Sequence, residues 1–237
     1  MEIRNPDGIP LFSVRNRQKS PSRAFRIGYN KHNSICIKKI LMKDSGRRMN
    51  YTRILLGFPA DFTPVCTTEF MTFASMIDEF KALNTELIGL SVDSLYSHIA
   101  WLRKIQELEW KEMKNVEVTF PLIEDIRMEV ATKYGMIQPG ASNTQAVRAV
   151  FIIDPEGVVR TILYYPLSTG RNFQEIKRII LALQKADSDN VATPADWQPG
   201  DDTIVPTAGS CGTAKERMES NDDDMYCLDW FLCFKKG

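Results

Sequence analysis

Cys66 is the residue whose type and position most clearly indicate chemistry. It stands in the run Pro-Ala-Asp-Phe-Thr-Pro-Val-Cys-Thr-Thr-Glu, residues 59–69, between a segment typical of a strand and one typical of a helix. A cysteine in the first turn of a helix meets free backbone N–H groups and the positive end of the helix dipole, which both favour the thiolate. Thr63 can place a hydroxyl beside the sulfur, and Pro59 and Pro64 restrict the loop. An isolated cysteine is more often an inert core residue, but this neighbourhood favours a nucleophile.

The remaining cysteines and histidines do not follow a metal-binding pattern. The chain has five cysteines and two histidines, without a Cys-x-x-Cys pair, whereas a structural zinc ion needs four ligands at short spacings. We therefore expect no metal site. Cys211 lies in a Gly-Ser-Cys-Gly context and is expected to be an exposed bystander. His98 falls on a predicted helix, either near a subunit interface or in solvent, and we favour solvent.

Composition bounds the class of protein. The 237 residues are 43% hydrophobic and carry a formal net charge of zero, which suits one sizeable core plus an appendage and favours neither nucleic acid nor membrane as a partner. Apolar runs are only strand-length, and residues 1–30 lack the apolar region of a secretory signal, so we expect a cytoplasmic protein. Between Phe12 and Arg53 stand twelve Lys or Arg and one acid, Asp44. We interpret this basic stretch as a poorly ordered or aberrant segment. The alternative is a patch that binds nucleic acid or an anionic membrane.

The elements that must position Cys66 follow an α/β alternation. The pattern predicts one helix from Thr67 to Leu83 directly after the cysteine. A later helix is capped by Asp93 or Ser94. The remaining segments complete a mixed sheet with flanking helices: strands at Thr52 to Phe58, Glu86 to Val92, Val118 to Ile123, Val147 to Ile153 and Val158 to Tyr165, and helices ending near Leu108, from Ile126 to Tyr134, and from Asn172 to Ala186.

The chain changes character after Asp187. Several prolines and acids predict an extended arm over residues 189–209, followed by a flexible polar stretch from Met218 to Asp224. The end, residues 227–234, is densely apolar, and we expect it to dock on a groove or on a second subunit.

The run around Cys66 resembles the active-site signature of the peroxiredoxins, Pro-x-x-x-Thr-x-x-Cys, which Pro59, Thr63 and Cys66 match. The wider run is similar to the peroxiredoxin-6-like, 1-Cys branch of the AhpC/TSA family, which includes archaeal members with long C-terminal arms. The resemblance implies an α/β thioredoxin-like fold with a mixed central sheet flanked by helices, plus an extended C-terminal arm. It divides the chain into an atypical basic segment (1–50), a peroxidase domain (51–187) and the arm (188–237).

The same resemblance implies the supporting residues. The strand at residues 147–154 resembles the family strand whose arginine supports the thiolate, which assigns that role to Arg148. Residues 165–172 resemble the helix entry that carries a second arginine, here Arg171. We expect Pro59, Arg148 and Arg171 to bind substrate, and Glu69 to pair with one of the arginines and orient it.

Cys227 and Cys233 resemble the arm cysteines of archaeal-type members. By that resemblance Cys233 resolves the oxidised Cys66 in a disulfide between subunits, with Cys227 as second choice, and Trp230 and Phe231 anchor the arm. The alternative is that both thiols merely pack with the aromatic residues.

The implied activity is thiol-dependent reduction of hydrogen peroxide and organic hydroperoxides through a Cys66 sulfenic acid, without metal, haem or flavin. A thioredoxin-like protein or a small thiol would be the reductant, and a homodimer, in some members a decamer, the assembly. Two alternatives stay open: a one-Cys mechanism in which a small thiol resolves Cys66, and a non-catalytic chaperone-like or redox-sensing oligomer.

Two departures from the family pattern stand out. The branch usually has histidine where this chain has Phe58, which removes a polar group from the approach to the pocket. Residues 12–50 do not resemble the family, and because good matches flank them we hypothesise an out-of-frame insert that impairs the fold. Reading the coding DNA in all three frames tests this: no frame restoring an alternating apolar pattern would contradict it.

Overall fold

The computed structural model describes residues 2–4, 10–13, 51–137, 146–219 and 223–237. Most of the basic segment, including Cys36, lies outside the described residues. The expectation of an aberrant or inserted segment concerns those residues, so the structure does not test it. Contacts divide the chain into two compact units, Met1–Arg48 and Met49–Gly237. In the first unit, strands β1 (Glu2–Arg4) and β2 (Pro10–Ser13) pair antiparallel.

The second unit is built on a five-stranded mixed sheet. Its strands are β3 (Thr52–Gly57), β4 (Thr85–Ser91), β5 (Leu122–Glu124), β6 (Arg148–Ile153) and β7 (Val159–Tyr165), in the order β5-β4-β3-β6-β7. β4 runs parallel to β3 and β5, whereas β6 is antiparallel to β3 and β7. With its flanking helices, the sheet confirms the predicted α/β class and thioredoxin-like fold.

The helices follow the predicted order but differ in their limits. They are α1 (Pro64–Ser75), α2 (Ile77–Ala82), α3 (Leu95–Glu107), α4 (Glu129–Lys133), α5 (Phe173–Asp189) and α6 (Cys211–Glu219). The single helix expected from Thr67 to Leu83 is wrong at its start and in its middle. It begins at Pro64, since proline suits the first helical position, and Met76, at φ −99° and ψ 4°, separates α1 from α2.

The starts of β5 and α4 were predicted too early in the chain. The strand expected from Val118 begins only at Leu122, after Pro121, which has no N–H to donate to a strand ladder. The helix expected from Ile126 begins at Glu129, after Met128 takes a left-handed backbone conformation at φ 55°. Gly135, at φ 68°, follows its end as expected.

An aromatic core joins α1 to α3, to α5 and to the segment that precedes β5. The Phe70 ring lies 4.6 Å from Trp101 and 5.4 Å from Phe120, and the Phe73 ring lies 3.8 Å from Phe173. Each of these side chains is almost completely buried, and full burial of one such side chain contributes about 1.5–3 kcal/mol. This packing holds the middle of α1 against α3 and α5.

The arm folds as its own small sheet. Strands β8 (Thr203–Ile204), β9 (Met225–Asp229) and β10 (Leu232–Lys235) pair antiparallel in the order β8-β10-β9. The buried Trp197 ties the preceding segment to α5, because its carbonyl accepts from Arg178 Nη1 at 3.2 Å.

One expectation about the arm needs correction, and another stays a prediction. The flexible stretch expected from Met218 is wrong for Met218 and Glu219, which belong to α6. The apolar end forms β9 and β10, and Leu228, Trp230 and Phe231 remain more than half exposed. Its docking on a groove or on a second subunit therefore stays a prediction. Among the helices of the described ranges, none has both the length and the apolar character needed to cross a membrane.

Candidate active site

The thiol of Cys66 lies in the first turn of α1, at its third helical position. The carbonyl of Thr63 accepts from the Thr67 backbone N–H at 2.9 Å, which closes that turn around the cysteine. The Cys66 side chain is free of disulfide bonds and fully buried, at 0% exposure. The sulfur therefore meets the positive end of the helix in a site that holds little water.

Arg148 brings a positive charge to the sulfur from the first residue of β6. Its Nη1 lies 3.4 Å from Cys66 Sγ and also donates to Glu69 Oε2, while its Nη2 donates to the Leu167 carbonyl at 3.1 Å. The residue is 1% exposed. Its Nε is buried and has no hydrogen-bond partner among the described atoms. Sequence spacing alone could not bring Arg148 here, since 82 residues separate it from Cys66.

Glu69 lies between the two arginines and pairs with both, where we expected one. Arg171 donates to it from the backbone N–H at 2.8 Å, from Nε at 3.1 Å and from Nη2 at 2.7 Å. Arg171 Nη1 donates to the carbonyls of Gly57 and Ala149 at 3.0 and 3.1 Å. Four of the five side-chain N–H donors of Arg171 are thus used inside the protein.

The Thr63 hydroxyl has a hydrogen-bond partner in the loop that precedes α1, and its expected place beside the sulfur stays a prediction. It donates to the carbonyl of Ala60 at 2.9 Å, because the turn that precedes α1 brings that carbonyl over the side chain. The proton of Thr63 is therefore engaged, and its oxygen lone pairs remain as acceptors. Pro59, which opens this turn, is buried.

The loop before Cys66 is fastened by a buried pair that sequence reasoning missed. His98 is fully buried, with Nδ1 at 2.9 and 2.8 Å from the two carboxylate oxygens of Asp61 and Nε2 at 3.3 Å from the Ile123 carbonyl. The Asp61 backbone N–H donates to Asp93 Oδ2 at 2.7 Å. The expectation of a solvated His98 is wrong. A signal existed in the helical spacing, because His98, Trp101 and Ile105 are the buried residues of α3 and share one face.

Two aromatic residues flank this loop in opposite environments. Phe58 is fully buried and packs on Phe70 and Trp101 at ring distances of 4.9 and 5.5 Å, with His98 at 6.2 Å. The side chain that replaces the branch's usual histidine thus belongs to the core. Phe62 is 58% exposed and has a left-handed backbone, at φ 56°.

The two arm cysteines are joined to each other. Cys227 and Cys233 form a disulfide, so they do not merely pack with aromatic residues, and neither is bonded to Cys66. Cys211 is free and exposed, as expected. The assignment of Cys233 as the resolving residue stays a prediction.

Family comparisons agree with this geometry. Residues 39–162 match the AhpC/TSA family, and residues 182–221 match the C-terminal domain of 1-Cys peroxiredoxin. The chain belongs to the peroxiredoxins of the AhpC/TSA family. As a peroxiredoxin it is a thiol peroxidase. The family match begins at residue 39, so the departure inferred for residues 12–50 does not hold for residues 39–50.

Several peroxiredoxins are similar along most of their length. The peroxiredoxin of Methanosarcina mazei is 66% identical, with 77% of this chain and 84% of the relative covered. That of Aquifex aeolicus is 49% identical, with 77% and 83% covered. A yeast mitochondrial 1-Cys peroxiredoxin, solved to explain thiol resolution via glutathione and thioredoxin systems, superposes with a TM-score of 0.68 at 38% identity, covering 80% of this chain and 88% of that one. The peroxiredoxin 6 of Arenicola marina, in a cysteine-to-serine mutant, gives a TM-score of 0.68 at 32% identity, covering 83% and 90%.

Proposed function

We propose that this peroxiredoxin reduces hydrogen peroxide and organic hydroperoxides by attack of the Cys66 thiolate on the O–O bond, with Cys233 resolving the resulting sulfenic acid. The observation that carries the proposal is the 3.4 Å approach of Arg148 Nη1 to Cys66 Sγ in the first turn of α1. A guanidinium and a helix N-terminus that converge on one buried sulfur favour its negative form.

The charges around the sulfur support that role. Arg148 and Arg171 carry two positive charges and Glu69 one negative charge, so the buried trio holds one net positive charge before Cys66 is counted. A Cys66 thiolate makes the cluster neutral, and a neutral thiol leaves it charged. Because an uncompensated charge in a buried site is costly, the cluster as a whole favours the thiolate.

The chemical step uses the same groups. A sulfur lone pair forms the S–O bond as the O–O bond breaks, and the leaving oxygen takes the bonding pair and then a proton, giving sulfenic acid and water or alcohol. Arg148 stabilises the charge that develops on the leaving oxygen. The Thr63 oxygen, whose own proton is held by Ala60, accepts the hydroperoxide O–H, and Pro59 keeps this loop in place.

Arg171 acts by positioning rather than by direct substrate binding. Its donors are used on Glu69, Gly57 and Ala149, which leaves it little capacity for a peroxide oxygen. It holds Glu69, and Glu69 in turn orients the guanidinium of Arg148 towards Cys66.

We further propose the assembly and reductant by analogy with the family. The assembly is a homodimer that can associate into a decamer. The reductant is a thioredoxin-like dithiol, and the location is the cytoplasm. The division into a basic segment (1–50), a peroxidase domain (51–187) and an arm (188–237) belongs to the same proposal. Size-exclusion chromatography with light scattering, and limited proteolysis, test the assembly and the boundaries.

A second candidate is a one-Cys mechanism, in which a small thiol resolves Cys66 directly. The bond between Cys227 and Cys233 favours it, because Cys233 has no thiol to offer while that bond is intact. The Cys233→Ser variant separates the two mechanisms. Full turnover with thioredoxin after this change would exclude Cys233 as the resolving residue.

The activity itself is tested by intact mass spectrometry on protein whose arm disulfide has first been reduced and the reductant removed, after one equivalent of hydrogen peroxide. If Cys233 resolves the Cys66 sulfenic acid, wild type should lose two hydrogens or form a covalent dimer. If a small thiol must resolve it, wild type should gain one oxygen, as a sulfenic acid that dimedone traps. Cys66→Ser should show none of these changes, and Cys211→Ser should behave like wild type. A wild type that stays unchanged would sink the proposal.

A further inference from the structure

The Cys227–Cys233 disulfide crosses a hairpin at directly opposed residues. In the register of β9 and β10, Cys233 pairs with Cys227 and Phe234 with Tyr226. Side chains at directly opposed positions of an antiparallel pair point to the same face of the sheet. The two sulfurs are therefore neighbours whether or not a bond joins them.

The hairpin has other bonds that hold its strands together. β10 also pairs with β8, and the Val205 backbone N–H donates to the Cys233 carbonyl at 2.9 Å. The Tyr226 and Phe234 rings stack at 5.2 Å, and the Lys236 N–H donates to the Asp224 carbonyl at 2.9 Å. These contacts do not depend on the disulfide, so the hairpin can keep its shape when the bond is reduced.

Hydrogen-bond acceptors are also available for the Cys227 and Cys233 thiols of the reduced hairpin. Cys227 Sγ lies 3.8 Å from the Arg217 carbonyl, and Cys233 Sγ lies 3.8 Å from the Asp229 carbonyl. A thiol is a weak donor, and each sulfur has a carbonyl within its reach. The same backbone therefore accommodates both the disulfide and the two thiols.

Accessibility differs among the three sulfurs. Cys66 is fully buried and Cys233 is 2% exposed, whereas Cys227 is only half-buried. Thiol–disulfide exchange needs direct approach of the attacking sulfur to the sulfur that it binds. A protein dithiol can approach Cys227 more readily than either Cys66 or Cys233.

We propose that Cys227 and Cys233 form a second redox centre, through which a dithiol reductant supplies electrons to the peroxidatic site. The reductant attacks Cys227, and the exchange gives two protein thiols and one reductant disulfide, a transfer of two electrons and two protons. This proposal rests on the proposed function of Cys66 for its later steps only.

Those steps need no further reductant. The Cys233 thiol condenses with the Cys66 sulfenic acid of a second copy of the chain, forming the S–S bond and releasing water. The Cys227 thiol then attacks the Cys233 sulfur, which restores the Cys227–Cys233 disulfide and frees the Cys66 thiol. The cycle consumes one peroxide and one dithiol, and the reductant never has to reach the buried Cys66.

The first test examines the centre without any peroxide chemistry. Oxidised Cys66→Ser protein is mixed with a thioredoxin variant that retains only its nucleophilic cysteine, and the mixed disulfide is mapped by peptide mass spectrometry. We expect the trap on Cys227, and we expect denatured thiol titration to rise by two per chain after treatment with dithiothreitol. Absence of that rise, or of a trapped species on Cys227, would overturn the proposal even if Cys66 is an active peroxidase.

The second test measures recycling. With thioredoxin, its reductase and NADPH, Cys227→Ser should accumulate the peroxide-dependent Cys66–Cys233 dimer and turn over at least tenfold more slowly than wild type. Cys211→Ser, which removes an exposed thiol outside the centre, should match wild type. If Cys227→Ser is recycled at the wild-type rate, the relay is wrong. If wild type consumes no peroxide while the trap still forms, the proposed function fails and the second centre stands.

Discussion

Replacing Arg148 by methionine removes the charge nearest the sulfur and keeps an apolar side chain of similar length. At the 3.4 Å between Nη1 and Sγ, two unit charges attract by about 5 kcal/mol at an effective dielectric constant of about 20. A hydrogen bond to a charged group contributes about 1.5–3 kcal/mol net of solvation. Taking about 3 kcal/mol as the loss, and 1.36 kcal/mol per tenfold change, the second-order rate constant with hydrogen peroxide should fall by about two orders of magnitude.

Stopped-flow tryptophan fluorescence or competition with a heme peroxidase would measure that rate constant for Arg148→Met. The matched control is Arg160→Met, because Arg160 lies on the neighbouring strand β7 and pairs with Asp187 at the surface; it should react like wild type. Circular dichroism must show that both variants fold. A folded Arg148→Met protein that reacts within threefold of wild type would refute the electrostatic role given to Arg148.

Three further changes probe the buried charges and one surface pair. Glu69→Gln leaves two buried guanidinium groups without their shared carboxylate, and urea unfolding should show a loss of about 3–5 kcal/mol. His98→Leu leaves the buried Asp61 carboxylate without its partner at a similar cost, and adding Asp61→Asn should recover part of the lost stability. A double variant no more stable than His98→Leu would contradict the role given to this buried pair. The Arg160 guanidinium lowers the pKa of Asp187, so this pair adds stability above the ordinary carboxyl pKa and loses it as pH falls through the lowered value. Because Asp187 is 56% exposed, the loss should stay below about 1 kcal/mol and disappear in Arg160→Met, as urea unfolding at neutral and acid pH would show.

Local signals in the sequence predicted the fold well, because they depend on short spacings. Ser94, one of the two capping residues expected, caps α3 by accepting from the Ser97 N–H. Asn172, where a helix was expected to begin, caps α5 by accepting from the N–H groups of Gln174 and Glu175. The break at Met76 was not predictable, because the apolar face continues through it from Phe73 to Ile77 and Phe80.

Long-range contacts of the site were beyond local reasoning. The contacts from Arg148 to Cys66 and from Arg171 to Glu69 join residues 82 and 102 positions apart, and only the family resemblance suggested them. His98 is a different case, because the helical spacing indicated its buried face. Its partner Asp61, in a loop 37 residues away, was not predictable from local spacing. The disulfide between Cys227 and Cys233 was missed because the resemblance directed attention to Cys66 as their partner.

The left-handed backbone of Phe62 has a consequence for how the buried thiol can meet a second sulfur. An L-residue other than glycine in that conformation costs roughly 1–2 kcal/mol, and Phe62, at φ 56°, holds that energy four positions before Cys66. The buried contacts of Asp61 with His98, together with its bond to Asp93, offset the cost while the loop is closed.

Opening the loop releases the conformational energy of Phe62. The free-energy difference between the closed and open forms is therefore smaller by about that amount than it would be for an unstrained loop. We therefore expect the first turn of α1 to open locally, at a lower free energy than unfolding of the core. Hydrogen exchange should accordingly be faster at residues 61–66 than in the middle of α1, and Phe62→Gly should slow it.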